Sequence, residues 1–172
     1  MKRISIISLV AALFLTTGSA IAQSNLKFGH INLQELISVM PGRDSAEMKF
    51  NAFYQELIEQ SEELEVEYNN KLQTFNQKQA TFSDAIREMR QKELIDLERR
   101  IQEFQANAPK NIQTVQGQLM QPLIEKANET IKKVAKQQGF LYVFDVSSGG
   151  VVYFSEASVD VLPFVKKELG IK

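Results

Sequence analysis

Apolar residues between Gly42 and Gly139 recur at intervals of three and four on an otherwise polar background. The first run reads Phe50, Phe53, Leu57, Leu64, Tyr68, Leu72, Phe75 and Phe82, with Ser61 and Gln79 filling the gaps in register. The second reads Ile86, Met89, Leu94, Leu97, Ile101, Phe104, Ala108, Ile112, Val115, Leu119, Leu123, Ala127, Ile131 and Val134. A stripe this narrow describes the seam of a coiled coil rather than the broad face of a globular core. The segment is rich in Glu, Gln, Lys, Ala and Leu, which lose little entropy in a helix, and Gly117 is its only internal glycine. Two helices are therefore predicted, over 43–80 and from about 84 to 138, roughly 57 Å and 80 Å long. Thr81-Phe82-Ser83-Asp84 is the one cluster of turn and capping residues between them, so an antiparallel hairpin with its tip near 81–84 is preferred to one unbroken rod. Pro109 and Pro122 are expected to bend or break the second helix.

Outside this bracket the vocabulary shifts to Val, Phe, Tyr, Gly and Ser, which suits strands and turns. Residues 26–32 alternate as a strand, with Leu26, Phe28, His30 and Asn32 on one face and Lys27, Gly29 and Ile31 on the other. A short helix over 33–40 closes at Pro41-Gly42. Residues 140–146 and 151–154 read as two further strands, joined by Ser147-Ser148-Gly149-Gly150 as a hairpin turn. Pro163 suits the first position of a last helix and Gly170 its end, but Leu162 is a poor cap, so that helix is expected to fray. The fold class is therefore α+β and mostly α: a long antiparallel α-hairpin arm, 43–138, on a small sheet or barrel module built from both chain ends, 23–42 and 139–172. Three short strands bury little and leave open edges, which symmetric assembly would cover. Phe28, Ile31, Tyr142, Phe144, Val152 and Phe154 are the candidate residues of that oligomeric body.

Lys2-Arg3, the apolar run 4–15 and Ala20-Ile21-Ala22 form the three parts of a cleavable signal peptide, residues 1–22. The run is too short for a comfortable membrane span, which needs about 20 residues, and no later stretch is long enough, so stable membrane insertion is not expected. Position 23 is Gln rather than Cys, which argues against a lipid anchor. The expected location is the periplasm. Cysteine is absent, which removes disulfides, thiol catalysis and cysteine-based zinc sites. After removal of the signal, 18 basic residues face 21 acidic ones, a balance that argues against nucleic acid as a partner. From Asp44 to Glu67 there are eight acids and one base, and from Lys110 to Lys136 five lysines and two glutamates. An antiparallel fold brings these stretches broadly together, which favours register more than stability.

Candidate chemistry is sparse. His30 is the only histidine and has no second His or Cys with which to hold a metal. Glu62, Glu63, Glu65 and Glu67 lack the turn and glycine of a calcium loop and read as a solvated helix face. No nucleophile–base–acid set, phosphate loop or paired-carboxylate site emerges, so neither an enzyme nor a cofactor is expected. Phe75, Phe82, Ile86 and Met89 gather near the arm tip, where they either hold the helices together or contact clients adaptably.

The order of these pieces resembles the Skp/OmpH family of periplasmic chaperones. The resemblance covers essentially the whole chain after the signal segment. It is carried by Phe28-Gly29-His30-Ile31-Asn32-Leu33-Gln34-Glu35-Leu36, the polar helical hairpin, Pro122-Leu123-Ile124, and Ile131-Lys132-Lys133-Val134-Ala135-Lys136. Gly139-Phe140 running into Tyr142-Val143-Phe144-Asp145, then Val159-Asp160-Val161 and the tail 166–171, complete it. The resemblance implies a homotrimer with a central β-barrel and three α-hairpin arms. It implies unfolded outer-membrane β-barrel proteins as partners, held between the arms without ATP. The best-known Skp proteins are strongly basic and this chain is slightly acidic, its arm tip over 71–100 carrying a net charge of no more than about +2. That departure removes the ground for expecting strong electrostatic capture of anionic clients or lipopolysaccharide. The reading from a different class is an envelope adaptor that docks one fixed partner through its hairpin tip; the small flanking module disfavours it.

Overall fold

The computed structural model describes residues 26–171; the segment read as a signal peptide, 1–22, lies outside the described residues. Strand β1 (Lys27–Ile31) leads into helix α1 (Leu33–Ser38), whose first turn is capped by Asn32: its side chain accepts the Glu35 N–H at 3.0 Å. Gly42, at φ 97°, turns the chain into α2 (Arg43–Lys78), a backbone angle that glycine adopts without strain. One 3-10 turn (Gln79–Thr81) reverses the chain, and Ser83 caps α3 (Asp84–Gln138). Gly139 ends α3 in the left-handed conformation and releases β2 (Phe140–Asp145). Residues 146–158 then lead to the two-residue strand β3 (Val159–Asp160) and helix α4 (Leu162–Glu168).

The hairpin seam lies where the periodicity places it. The seam positions of α2 from Phe50 to Phe75 are half-buried, and the gap-filling Ser61 shares that burial. On α3 the stripe is half-buried or buried from Leu94 to Val134. Within the arm, away from the body, Leu97 is the one fully enclosed side chain among the described residues. The expected break at the prolines does not occur: α3 runs unbroken through Pro109 and Pro122. Both occupy exposed positions, where the carbonyls left without a donor can turn to water.

The acidic and basic stretches do not meet across the hairpin as expected. Gly42 lies beside Leu123, so the acidic stretch from Asp44 to Glu67 lies opposite the part of α3 that precedes Leu123. Of the five lysines, Lys110 falls in that part, whereas Lys126, Lys132, Lys133 and Lys136 lie beyond it. Among the described residues, the one ion pair across the hairpin is Lys71–Glu93, at 3.8 Å.

The sheet also departs from expectation. Its order is β2-β1-β3 and both pairings are parallel, with Gly29 opposite Val143 on one side and Val159 on the other. The predicted 147–150 hairpin is absent among the described residues, and 151–154 is not a strand. A parallel neighbour must enter the sheet from the same end as β2, so the chain has to travel back along the sheet before pairing again. Residues 146–158 are that return. Asp145 starts it: Oδ1 accepts from Ser147 N–H at 2.8 Å, from the Ser147 hydroxyl at 2.6 Å and from Leu33 N–H at 3.2 Å.

The core sits under one face of this sheet. Ile31, Leu36, Met40, Ala46, Leu123, Ala127, Val134, Val161, Leu162 and Val165 form one buried cluster. The last four turns of α3 pass through this body, so a single helix serves both arm and core. The start of α4 is anchored rather than frayed. Leu162 is its first residue and Pro163 its second, and the Asp160 carboxylate accepts the Leu162 N–H at 2.9 Å. Val161, Leu162 and Val165 are all buried there.

Candidate functional site

The described residues hold no group of three His, Cys, Asp or Glu side chains placed to bind a metal ion. The two surfaces that stand out are both apolar.

The first is the arm tip. Phe75 and Phe82 pack on each other with ring centroids 6.3 Å apart and tilted by 45°, and so close the reversal. Arg87 ties it from outside. Its guanidinium donates to the Gln79 and Phe82 carbonyls at 3.4 and 3.3 Å and to Asp84 at 3.0 Å. Just below the tip, Arg90 bonds Glu93 at 2.9 Å and holds that carboxyl below its ordinary range. Ile86 and Met89 face outward, 43% and 49% exposed. The four tip residues thus divide: the phenylalanines serve the hairpin, while the aliphatic pair is free for contact. Arg87 was not singled out from the sequence, because its acceptors are backbone carbonyls that only the folded turn brings together.

The second surface is the sheet face turned away from the core. Strand alternation places Phe28 and His30 on it, and parallel register adds Tyr142 and Phe144 as their direct neighbours. Phe28 stacks on Tyr142 at 6.3 Å, and Tyr142 on Phe144 at 5.9 Å. The return segment crosses this face. Phe154 lies against the His30 ring at 4.0 Å, and Ser158 Oγ is 2.9 Å from His30 Nδ1. Leu26, Phe28, His30, Phe144 and residues 150–155, 157 and 158 enclose an open cup of about 580 Å³. Tyr142, Phe144 and Phe154 are each about half exposed, and Val152 is 98% exposed.

Of the six residues expected in an oligomeric body, Phe28, Tyr142, Phe144, Val152 and Phe154 share this uncovered surface. Ile31 does not: it is 2% exposed and packs in the protomer core. Its place follows from the alternation, which sets it opposite His30 across the strand. Tyr153, 81% exposed, belongs to the surface and was not singled out. The run of four apolar residues from Val151 to Phe154 is its signal in the sequence, hidden by reading that run as a strand.

A long α-helical hairpin rising from a small parallel sheet, with an aromatic sheet face left bare, defines the class of protein to which this chain belongs. A family profile described as "Outer membrane protein (OmpH-like)" matches residues 27–169, and the chain belongs to that family. Comparison with curated proteins gives no match. Among solved structures, the chain is similar to a Caulobacter crescentus CB15 protein provisionally described as an outer membrane chaperone (OmpH-like). The two superpose with a TM-score of 0.68 at 12% identity, over 83% of this chain and 82% of the other. At that identity the likeness is one of fold.

Proposed function

We propose that this protein is an ATP-independent holdase chaperone of the periplasm. It works as a homotrimer and holds unfolded outer-membrane β-barrel proteins in the space between its helical arms. The observation that carries this reading is the pairing of a bare aromatic sheet face with an arm whose apolar seam is only half-buried along most of its length. Such an arrangement suits assembly at one end and many weak contacts at the other. Three sheet faces together form a shared core, and α3 carries each arm away from it. Every contact along an arm is feeble, but several arms around one chain raise the effective concentration, so that grip needs no fuel and release needs no trigger. Ile86 and Met89 supply adaptable apolar contacts at the tips. Family membership and the neighbouring fold support the reading.

The test is suppression of aggregation of a urea-unfolded outer-membrane β-barrel on dilution. Soluble client at one assembled chaperone per client supports the proposal. Precipitation at the same rate with and without the protein refutes it. Capture of one defined folded envelope protein, with no unfolded barrels, would instead mark an adaptor that docks through its tip.

A further inference from the structure

We propose that His30 makes assembly through the sheet face acid-sensitive, so that copies associate at neutral pH and loosen in mild acid. This inference rests on the reading of that face as the surface joining copies of the chain.

His30 is the only histidine of the chain and stands in the middle of the aromatic surface. It is half-buried already in the single protomer. Its ring lies on Phe154 and its Nδ1 meets the Ser158 hydroxyl. From β2 the facing side chains are Phe144 and Tyr142. From β3 the register partner is Asp160, whose carboxylate already accepts the Leu162 N–H at 2.9 Å. The segment folded over the ring carries Tyr153 and Glu156, both exposed. On β1 itself, Lys27 is turned to the other side, with its ammonium 4.2 Å from the Phe140 ring and bonded to the Gln138 carbonyl. Among the described residues no carboxylate lies within ion-pair distance of the imidazole.

The physics then has one direction. In the lone protomer the cup is open and water can solvate a charged ring. A second copy seated on the face expels that water and offers aromatic surface in return. Desolvation disfavours the charged form where no acid replaces the lost hydration. The neutral ring suffers much less, since Ser158 satisfies Nδ1 with either partner donating. Association therefore prefers neutral imidazole, and by linkage acid must oppose association. Imidazoles are the side chains that ordinarily gain charge between pH 8 and 5. The contribution is present at the neutral end of that window and is lost as the pH falls through it.

The experiment is sedimentation equilibrium of the purified protein at pH 7.5, 6.5 and 5.5, with urea added as needed to bring dissociation into range. Wild type is compared with His30→Gln and His30→Phe, and far-UV circular dichroism confirms that each is folded. Between pH 7.5 and 5.5 the wild type is expected to weaken about tenfold for each histidine covered, while both uncharged variants stay within about threefold. A wild type with the same affinity at all three values overturns the inference, as does an equal loss in the variants, which would place the acid response elsewhere. The underlying reading is tested separately by Phe28→Ser and Phe144→Ser. If these leave assembly intact, or if the wild type is monomeric throughout, the sheet face is not the joining surface and the inference falls with it. If they abolish assembly at pH 7.5 while the wild type shows no acid response, only the role of His30 is refuted.

Discussion

Gly29→Ala tests the close approach at the centre of the sheet. A Cβ placed on Gly29 would sit 2.6 Å from Val161 Cγ2 and 3.2 Å from two carbons of the Phe140 ring. Ordinary carbon–carbon contact is about 3.5–4.0 Å, so the Val161 methyl has to move by roughly 1 Å. Val161 is fully buried and β-branched, with little freedom at χ1. Forcing it off its rotamer costs about 0.5–1.5 kcal/mol, and overpacking of this kind costs about 1–3 kcal/mol in all. The assay is urea unfolding at fixed protomer concentration, which keeps any contribution of self-association to apparent stability constant. The midpoint should fall by an amount equal to about 1–3 kcal/mol, with the denaturant slope unchanged. The decisive arm is Gly29→Ala combined with Val161→Ala. Shaving the obstructing methyls should make the double variant more stable than the sum of the two single losses predicts, by more than about 0.5 kcal/mol. Strict additivity, or a Gly29→Ala variant as stable as the wild type, would refute the argument that glycine is required here for closeness.

Other parts of the molecule give independent tests. Asp145→Ala leaves Leu33 N–H and two donors of Ser147 without their acceptor and should cost about 1–3 kcal/mol by chemical denaturation. Partial burial opposes the Asp145 charge, but the Ser147 hydroxyl and the Ser147 and Leu33 N–H groups outweigh it and hold the carboxyl below its ordinary 3.8. A depressed carboxyl stabilises the fold above its unfolded value, so the gap between wild type and variant should be full at pH 5–7 and close as the pH falls below 3.8. Leu97→Ala, at the one enclosed position of the arm, should cost about 2–5 kcal/mol in thermal or urea unfolding. Ile86→Ser with Met89→Ser should leave stability within about 0.5 kcal/mol per site while weakening suppression of client aggregation, which would separate a contact role from a packing role. Pro109→Ala restores a backbone donor at an exposed helical position and should raise arm stability, by up to about 3 kcal/mol if the helix gains its full propensity.

The hairpin was legible because its signal is periodic and long. Twenty-two apolar positions at helical spacing leave one way to bury them, and Ser83 marked the restart through its side chain, whose Oγ accepts the Ile86 N–H at 3.4 Å. The body was legible in content but not in connection. Phe140 to Asp145 announced a strand by composition, yet nothing local says whether its neighbour runs parallel or antiparallel. The glycine pair Gly149-Gly150 invited a hairpin, whereas Asp145, acting as acceptor for its own following residues, turns the chain out of the sheet. β3 is two residues long, too short for any pattern to reveal. Ile31 and Phe28 were grouped together by hydrophobicity, although the alternation along β1 already set them on opposite faces. The arm tip was read as one cluster for the same reason: side-chain character was visible, while direction depended on the turn that Arg87 secures.

The two legs of the hairpin join the body differently. α2 begins at the glycine turn of Gly42, but α3 continues without a joint into the core beneath the sheet. A rigid swivel at the root would have to unwind a helical turn that Ala127 and Val134 hold buried. Any sideways movement of the arm must come instead from flexure spread along a slender two-helix beam, easiest where Pro109 and Pro122 each omit a rung of the helical ladder. The span therefore behaves as a sprung cantilever clamped at its base, which yields by elastic deflection rather than at a hinge.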